Sequence, residues 1–361
     1  VVGVIAPWNF PVQLTFSPLA GIFAAGCRVM IKPSEYAPRT AALMAEMIHS
    51  AYDESEAAVF TGGPEVGQAF ARLPFDHLLF TGATSIAQHI LRAAAENLVP
   101  TTLELGGKSP VIVGRSADMT LAAKRIMAGK TLNAGQACLA PDYVLVPKDK
   151  VADFVSAARS AVAAMYPTLK DNPDYTSIIN QRHYDRLAGY VADARAKGAE
   201  IVELNPAGED FRQQPFHKMP PMLVLNATDD MAVMGEEIFG PLLPVRGYET
   251  TEEAIAEVNR RPRPLGLYYF GADRAEERRV LARTVSGGVT VNDVILHISM
   301  EDLPFGGIGP SGMGAYHGLD GFRTFSHAKA VFRQSRMDII AMLRPPYGER
   351  YRKIVASQIK R

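Results

Sequence analysis

The sequence predicts an α/β protein built on parallel sheets, and three observations carry that expectation. Short apolar runs alternate with single helical patterns through the first hundred residues, and a second alternating region runs from Pro110 to about Gly307. The polar residues of the first region fall where its apolar runs end: Asn9, Lys32 with Glu35, Thr81-Gly82-Ala83-Thr84, and Glu104. Parallel sheets bind ligands at the carboxyl ends of their strands, so this is where a site is expected. The 361 residues are 47% hydrophobic and 21% charged, enough to bury one large core and, more in keeping with the length, two.

The elements follow in order. Residues 1–27 carry no charged side chain, but Pro7, Asn9, Pro11, Gln13 and Pro18 interrupt them and no basic segment precedes them. They read as a buried strand, a turn and a buried helix, and not as a membrane span or leader. Val1 to Ala6 is the strand, and Ser17-Pro18 marks the helix start with Gly26 as its stop. Further strands are predicted over 28–32, 57–60, 78–81 and 101–105, with helices over 40–51, 65–73 and 84–98 between them. In the second region helices are predicted over 121–130, 148–165, 181–197, 251–260 and 274–283, and strands over 143–146, 222–225, 243–248, 267–270 and 289–291. The change falls near Gly106-Gly107, and Pro206 to Pro221 is a surface loop.

Composition excludes several function classes. Lys and Arg total 38 and Asp and Glu total 38, so net charge offers nothing to nucleic acid. Two cysteines, Cys27 and Cys138, make no disulfide framework, and the cytoplasm is the default compartment. The eight histidines show no metal-ligand spacing, so no metal is assigned; of them, His297 and His317 are the ones expected to line an opening, if any does. The basic segment from Arg344 to Arg361, interleaved with Tyr347, Tyr351, Ile354 and Ile359, reads as a solvated helix or an arm over a dimer partner in preference to a membrane-surface helix.

The chemistry centres on Asn133-Ala134-Gly135-Gln136-Ala137-Cys138-Leu139-Ala140. A cysteine among small residues after a glycine turn is open to a substrate carbon, and a thiol is a nucleophile only as thiolate. Glu104 and Asn9 add a base and an amide donor, the set acyl-type chemistry requires. Taken singly, each has a blander reading: a surface strand-end carboxylate for Glu104, a turn former for Asn9, core packing for Phe239 and Trp8, a core thiol for Cys27. No G-x-G-x-x-G follows the first strand. Lys32-Pro33-Ser34-Glu35 and Gly82-Ala83-Thr84 are substitutes, a ribose carboxylate and a helix N-terminus for pyrophosphate, although a surface ion pair is the simpler reading of Lys32 and Glu35 alone.

Seven ordered motifs carry a family resemblance over nearly the whole chain. They are Pro7-Trp8-Asn9-Phe10-Pro11, Lys32-Pro33-Ser34-Glu35, Phe80-Thr81-Gly82, Leu103 to Lys108, Gly135 to Cys138, Glu236 to Pro241 and Pro304 to Gly307. In that order they resemble the aldehyde dehydrogenase superfamily, and the tail after Gly321 resembles its dimeric class-three side. The resemblance implies a Rossmann-like NAD-binding domain, of which 1–106 is the remaining part, an α/β catalytic domain over 107–308, and a C-terminal return and oligomerisation segment over 309–361. A segment of roughly a hundred residues precedes the Trp-Asn motif in the family, and a chain opening in mid-strand at Val1 leads us to expect sequence before it.

The same resemblance implies oxidation of an aldehyde, an aromatic one by overall similarity, to its acid. Cys138 would attack, Asn9 and the Cys138 N–H would hold the oxyanion, and Glu104 would activate water. Lys32 and Glu35 would grip the adenosine ribose, Gly82 would lie near the pyrophosphate, Glu237 would hold the nicotinamide ribose, Phe239 would pack beside the ring and Asn292 would shape the site. NAD is the implied cofactor, with NADP tolerated on the class-three side. The partner is a small-molecule aldehyde, with neither nucleic acid nor membrane, and a homodimer is implied for the full-length protein. Ala83 and Ala87 depart from the polar residue and glycine frequent in the family. A CoA-acylating enzyme is the nearest alternative, against which Glu104 argues; a cysteine hydrolase and a non-catalytic NAD-binding homologue are the others.

Overall fold

The structure, a computed structural model, describes residues 1–338 and 340–359; Lys360 and Arg361 of the basic segment lie outside the described residues. The chain divides into two units, Val1–Ser326 and the tail from His327. Within the tail a helix spans Glu349–Ile359 and buries no side chain, with Tyr347 and Tyr351 ring centroids 4.5 Å apart.

The first unit holds two sheets. Strands β1 (Val2–Ile5), β2 (Val29–Lys32), β3 (Ala57–Val59), β4 (His77–Thr81) and β5 (Thr101–Glu104) come first. Then follow β6 (Pro110–Val113), β7 (Tyr143–Pro147), β8 (Glu200–Glu203), β9 (Met222–Leu225), β10 (Leu242–Tyr248), β11 (Gly266–Phe270), β12 (Gly288–Val291) and β13 (Gly312–Met313). The six-stranded sheet has the order β13-β5-β4-β1-β2-β3, and the seven-stranded sheet β12-β11-β6-β7-β10-β9-β8. All pairings are parallel except the outermost β13 on β5 and β8 on β9.

Helices on both faces explain why these strands read as continuous apolar runs, since neither face meets water. Val2, Val4, Ile31 and Leu79 pack with Ile22 and Leu19 on one side of the first sheet, while Leu78, Phe80 and Leu103 pack with Phe70, Phe75 and Ile90 on the other. Val111, Val144 and Val245 face Ile126 and Phe154 in the second sheet, and Ile112, Leu145 and Leu267 face Ile255, Val258 and Val280. Each such fully buried aliphatic side chain contributes about 1.5–3 kcal/mol. The register Ile5↔Lys32, Ile5↔Phe80 and Thr81↔Glu104 aligns the carboxyl ends of β5, β4, β1 and β2 along one edge. The polar residues picked out above lie on that edge.

The first helix departs from expectation. It spans Gln13–Ala24, so it starts four residues before Ser17 and carries Pro18 inside it. Thr15 Oγ1 donates to the Pro11 carbonyl at 2.6 Å and closes the first turn. The missing N–H of Pro18 therefore costs one bond in a helix otherwise fixed by packing. β6, β8 and β13 were not anticipated. β6 is an apolar run behind a proline, β8 alternates with exposed glutamates at both ends, and β13 is only two residues long.

Candidate active site

The helix Met119–Thr131, capped by the Asp118 carboxylate on the Leu121 N–H at 3.0 Å, delivers the chain to the cysteine loop. Asn133, Ala134 and Gly135 then take successive left-handed conformations, with φ of 49°, 52° and 75°. Gly135 is required twice over. Its φ favours glycine, and a Cβ there would lie 2.3 Å from the Gly240 carbonyl oxygen. The cysteine loop and the 236–241 segment therefore pack backbone against backbone.

Gln136 ties the loop down: its Nε2 donates to the carbonyls of Asn133 and Ser177, and its Oε1 accepts from the Ile179 N–H. Asn9 reaches the same loop, donating from Nδ2 to the Gln136 carbonyl at 3.1 Å, while Asn133 Nδ2 donates to the Asn9 carbonyl at 3.0 Å. One N–H of the Asn9 amide is thus spent on the loop, and the other remains to a ligand.

Cys138 is half-buried. Burial, followed by the charges of Glu237 and then Glu104, pushes its thiol up to about 12, against the backbone N–H groups of Cys138 and Leu139. The three groups thus share one electrostatic environment. Glu104 is 4% exposed, neither carboxylate oxygen has a hydrogen-bond partner among the described residues, and burial pushes it well above the ordinary carboxylate range. Such a group holds a proton readily and has no internal partner to compete with a ligand or water.

Glu237 lies against Gly106, where a Cβ would come within 2.2 Å of both carboxylate oxygens. Burial first, then the Asp142 charge, raise it to about 8, while the Gly107 N–H, Lys108 and Arg186 pull it down. Phe239, in a left-handed conformation at φ 48°, meets Trp8 edge-on with ring centroids 5.4 Å apart.

Beneath this surface lies a polar cluster that sequence reasoning missed. Lys108 pairs with Asp142 and donates to the carbonyls of Val233 and Glu236 at 2.8 and 2.9 Å, and the other Asp142 oxygen accepts from the Ile238 N–H at 2.8 Å. Glu237 is held between two clamped peptides. Lys130 is fully buried as well, and its Nζ has no hydrogen-bond partner among the described residues. Its signal was present: with Ala123, Ile126 and Met127 it falls on the helix's buried stripe, where a lysine is out of place.

Along the strand edge, Lys32 is 3% exposed and pairs with Glu35 at 3.0 Å. Burial tends to raise Glu35, but a backbone N–H and Lys32 outweigh it and leave the carboxylate below its ordinary range. Gly82 donates its N–H to the Glu104 carbonyl at 3.0 Å and so offers no free donor, and its missing Cβ makes way for the Phe80 ring. Free N–H groups are instead those of the next residues, opening the helix Thr84–Ala95, whose N-cap Ala83 has no side-chain cap.

Three other residues sit differently from expectation. Asn292 spends its amide on both backbone groups of Gly271, at 2.8 and 3.0 Å, and faces a surface groove of about 500 Å³ bordered by Ser116, Asp118, Arg125 and Arg274. His297 and His317 line no opening. They are 8% and 3% exposed and belong to an aromatic cluster in which Phe305 stacks on His317 at 5.0 Å. Burial drives His297 down to about 4, and it lowers His317 as well.

The sequence profile described as "Aldehyde dehydrogenase family" matches residues 1–331. The chain belongs to the aldehyde dehydrogenase family. It is 67% identical over 363 aligned positions to the "Probable coniferyl aldehyde dehydrogenase" of Caulobacter vibrioides, covering 100% of this chain and 75% of that protein. Among solved structures, the substrate-bound state of Staphylococcus aureus AldH superposes with a TM-score of 0.90 at 40% identity, covering 99% of this chain and 76% of that one. A Mycobacterium tuberculosis aldehyde dehydrogenase complexed with NAD⁺ gives 0.85 at 29% identity, covering 94% and 70%. This aldehyde dehydrogenase is thus an NAD(P)-dependent oxidoreductase acting on small-molecule aldehydes. Among the described residues, no helix is long and apolar enough to cross a membrane.

Proposed function

We propose that the chain oxidises an aromatic aldehyde such as coniferaldehyde to its carboxylic acid, through a thiohemiacetal and a thioester on Cys138. The observation that carries this reading is the buried, partnerless Glu104 carboxylate sharing one electrostatic environment with the half-buried Cys138 thiol. The Cys138 thiol gives its proton to solvent as its sulfur adds to the aldehyde carbon, and the oxygen that becomes negative is held by the Asn9 side-chain amide and the Cys138 backbone N–H. NAD⁺, when bound, supplies the acceptor for the hydride whose departure leaves a thioester. Glu104, in its ionised form, then takes a proton from water so that it attacks the thioester carbon; the C–S bond breaks, the acid leaves, and the proton passes from Glu104 to the Cys138 sulfur, which regains its thiol. Glu104 also argues against acyl transfer to CoA, which needs no hydrolytic base.

The residues present fit a dinucleotide. From β5 to β2 the strand edge spans roughly 14 Å, with Glu237 near Cys138 at one end and Lys32 and Glu35 at the other. Glu237 Oε1 is buried without a partner among the described residues, as an acceptor awaiting ribose hydroxyls would be. Glu35 repels a 2′-phosphate, which favours NAD over NADP, while the adjacent Lys32 tempers the preference. Phe239 would pack beside the nicotinamide. The reading extends to residues 1–106 as part of a nucleotide-binding domain, 107–308 as the catalytic domain and 309–361 as a return and oligomerisation segment, in a cytoplasmic homodimer.

The test is a panel of aromatic and aliphatic aldehydes on the full-length enzyme with NAD and NADP, followed by reduced-nicotinamide absorbance. Turnover fastest with hydroxycinnamaldehydes and NAD is expected. NAD binding without turnover of any aldehyde would favour a non-catalytic homologue, and a marked preference for aliphatic aldehydes would overturn the substrate class.

A further inference from the structure

The turn that carries Cys138 is closed from within and gripped from without. It runs from Ala137 to Ala140, with the Ala140 N–H donating to the Ala137 carbonyl at 3.0 Å, so Cys138 and Leu139 are its two central residues. The Leu139 carbonyl is held from outside the turn: it accepts from the Tyr268 hydroxyl of β11 at 2.6 Å, in a buried bond. That carbonyl and the Ala140 N–H belong to one peptide, whose atoms lie in a plane and whose two polar groups point apart. A single rigid unit thus joins the turn to the seven-stranded sheet.

β11 is shaped to hold it. Gly266 and Tyr268, two residues apart, share a face of the strand, and a Cβ at Gly266 would lie 2.8 Å from both the Tyr268 hydroxyl oxygen and Leu139 Cδ2. Tyr268 is fully buried with Val111, Val113 and Val294, and the Leu139 side chain is buried too. Burial holds the phenol well above its ordinary range, so it stays a donor. Among the described residues the Leu139 carbonyl has no second donor. On the other flank Gln136 fixes the approach to the turn through Asn133, Ser177 and Ile179. The two sides of Cys138 are therefore tied separately, by Gln136 before it and by Tyr268 after it.

We infer that Tyr268 is a positioning residue for the reaction at Cys138: its hydroxyl, by fixing the peptide between Leu139 and Ala140, keeps the Cys138 sulfur and backbone N–H aimed at one aldehyde group. This rests on the reading of Cys138 as nucleophile given under the proposed function. Attack on carbon and support of the oxyanion both demand placement within a fraction of an ångström, so loss of the bond shows in the rate of the chemistry and not in the binding of cofactor. Tyr268 itself makes and breaks no covalent bond.

The experiment is rapid mixing of the full-length enzyme, saturated with NAD⁺, with coniferaldehyde in one arm and hexanal in another. The rate at which reduced nicotinamide appears in the first turnover is read beside NAD⁺ affinity by calorimetry. Tyr268→Phe keeps the ring and removes the hydroxyl; its first-turnover rate at saturating aldehyde falls at least about tenfold, with NAD⁺ affinity unchanged. Gly266→Ala, which crowds the same hydroxyl, lowers the rate as well, and the two substitutions together lower it no further than Tyr268→Phe alone, because they act on one bond. A parental rate in Tyr268→Phe overturns the inference and leaves Cys138 as the nucleophile. A rate loss matched by an equal loss of NAD⁺ affinity, the mark of general loosening, overturns it too, as do losses from the two substitutions that multiply. If Tyr268→Phe does not fold, a parental rate in Gly266→Ala overturns it. No reduced nicotinamide from the unaltered enzyme in either arm overturns both readings.

Discussion

Replacing Asp142 with alanine attacks the support of the site and not its surface. Asp142 is 2% exposed and serves two donors, the Lys108 ammonium and the Ile238 N–H. In Asp142→Ala the ammonium keeps only the carbonyls of Val233 and Glu236, and removing one partner of a buried pair costs about 3–5 kcal/mol. The orphaned Ile238 N–H adds about 1–3 kcal/mol. The two losses fall on one cluster and do not simply sum, so about 4–6 kcal/mol is expected, a large part of the ~5–15 kcal/mol that holds a folded domain. Urea unfolding followed by tryptophan fluorescence reads it directly, since Trp8 is the only tryptophan and packs edge-on to Phe239, one residue from Ile238. The double variant Lys108→Met/Asp142→Leu removes both charges and recovers the part of the loss that comes from the unpaired ammonium, while the Ile238 N–H stays unpaired. A single-variant cost below about 1 kcal/mol would refute the reasoning, as would a double variant no better than the single.

Glu104→Gln leaves acyl-enzyme formation intact and stops its hydrolysis, so rapid mixing shows a burst of reduced cofactor near one per site and then little turnover; steady turnover at the parent rate removes Glu104 from the role of base. Gly106→Ala places a methyl 2.2 Å from the Glu237 oxygens and displaces them; NAD⁺ affinity falls at least about tenfold with the fold retained by circular dichroism, and unchanged affinity contradicts the placement of Glu237. Stability has two pH limbs. His77 and His297 are lowered to about 4 by burial, so the stability they confer is present above about 6.5 and lost as pH falls toward 4. Glu104, raised by burial, contributes stability at low pH that is lost as pH rises through its folded value. Urea midpoints of His77→Gln and Glu104→Gln should flatten the acid and alkaline limbs respectively, and parallel curves would show that other groups set them.

Strand and helix order were legible because burial on both faces leaves continuous apolar runs, such as Tyr143-Val144-Leu145-Val146 in β7, that a parallel sheet covered by helices accommodates. The edges were not. β8 has a single fully buried residue, Val202, and β13 is too short to leave a periodic trace. At the site, Cys138, Asn9, Glu104 and Glu237 could be named from motifs, yet nothing local in those motifs tells that Gly82 gives its N–H to Glu104 or that Asn292 spends its amide on Gly271. Those are facts of tertiary proximity. Lys130 and Asp142 escaped for another reason: charged residues are assigned to water by default, and only the position of Lys130 on an apolar stripe argues otherwise.

The pairing of β13 with β5 has a consequence for assembly in time. Gly312 lies opposite Glu104, and Leu105 gives its N–H to Ser311, so the flank of the strand bearing Glu104 is completed by residues roughly 200 positions downstream. During synthesis β5 waits on the ribosome's later output with that edge open, and the Glu104 carboxylate takes its final setting only after both sheets have been made.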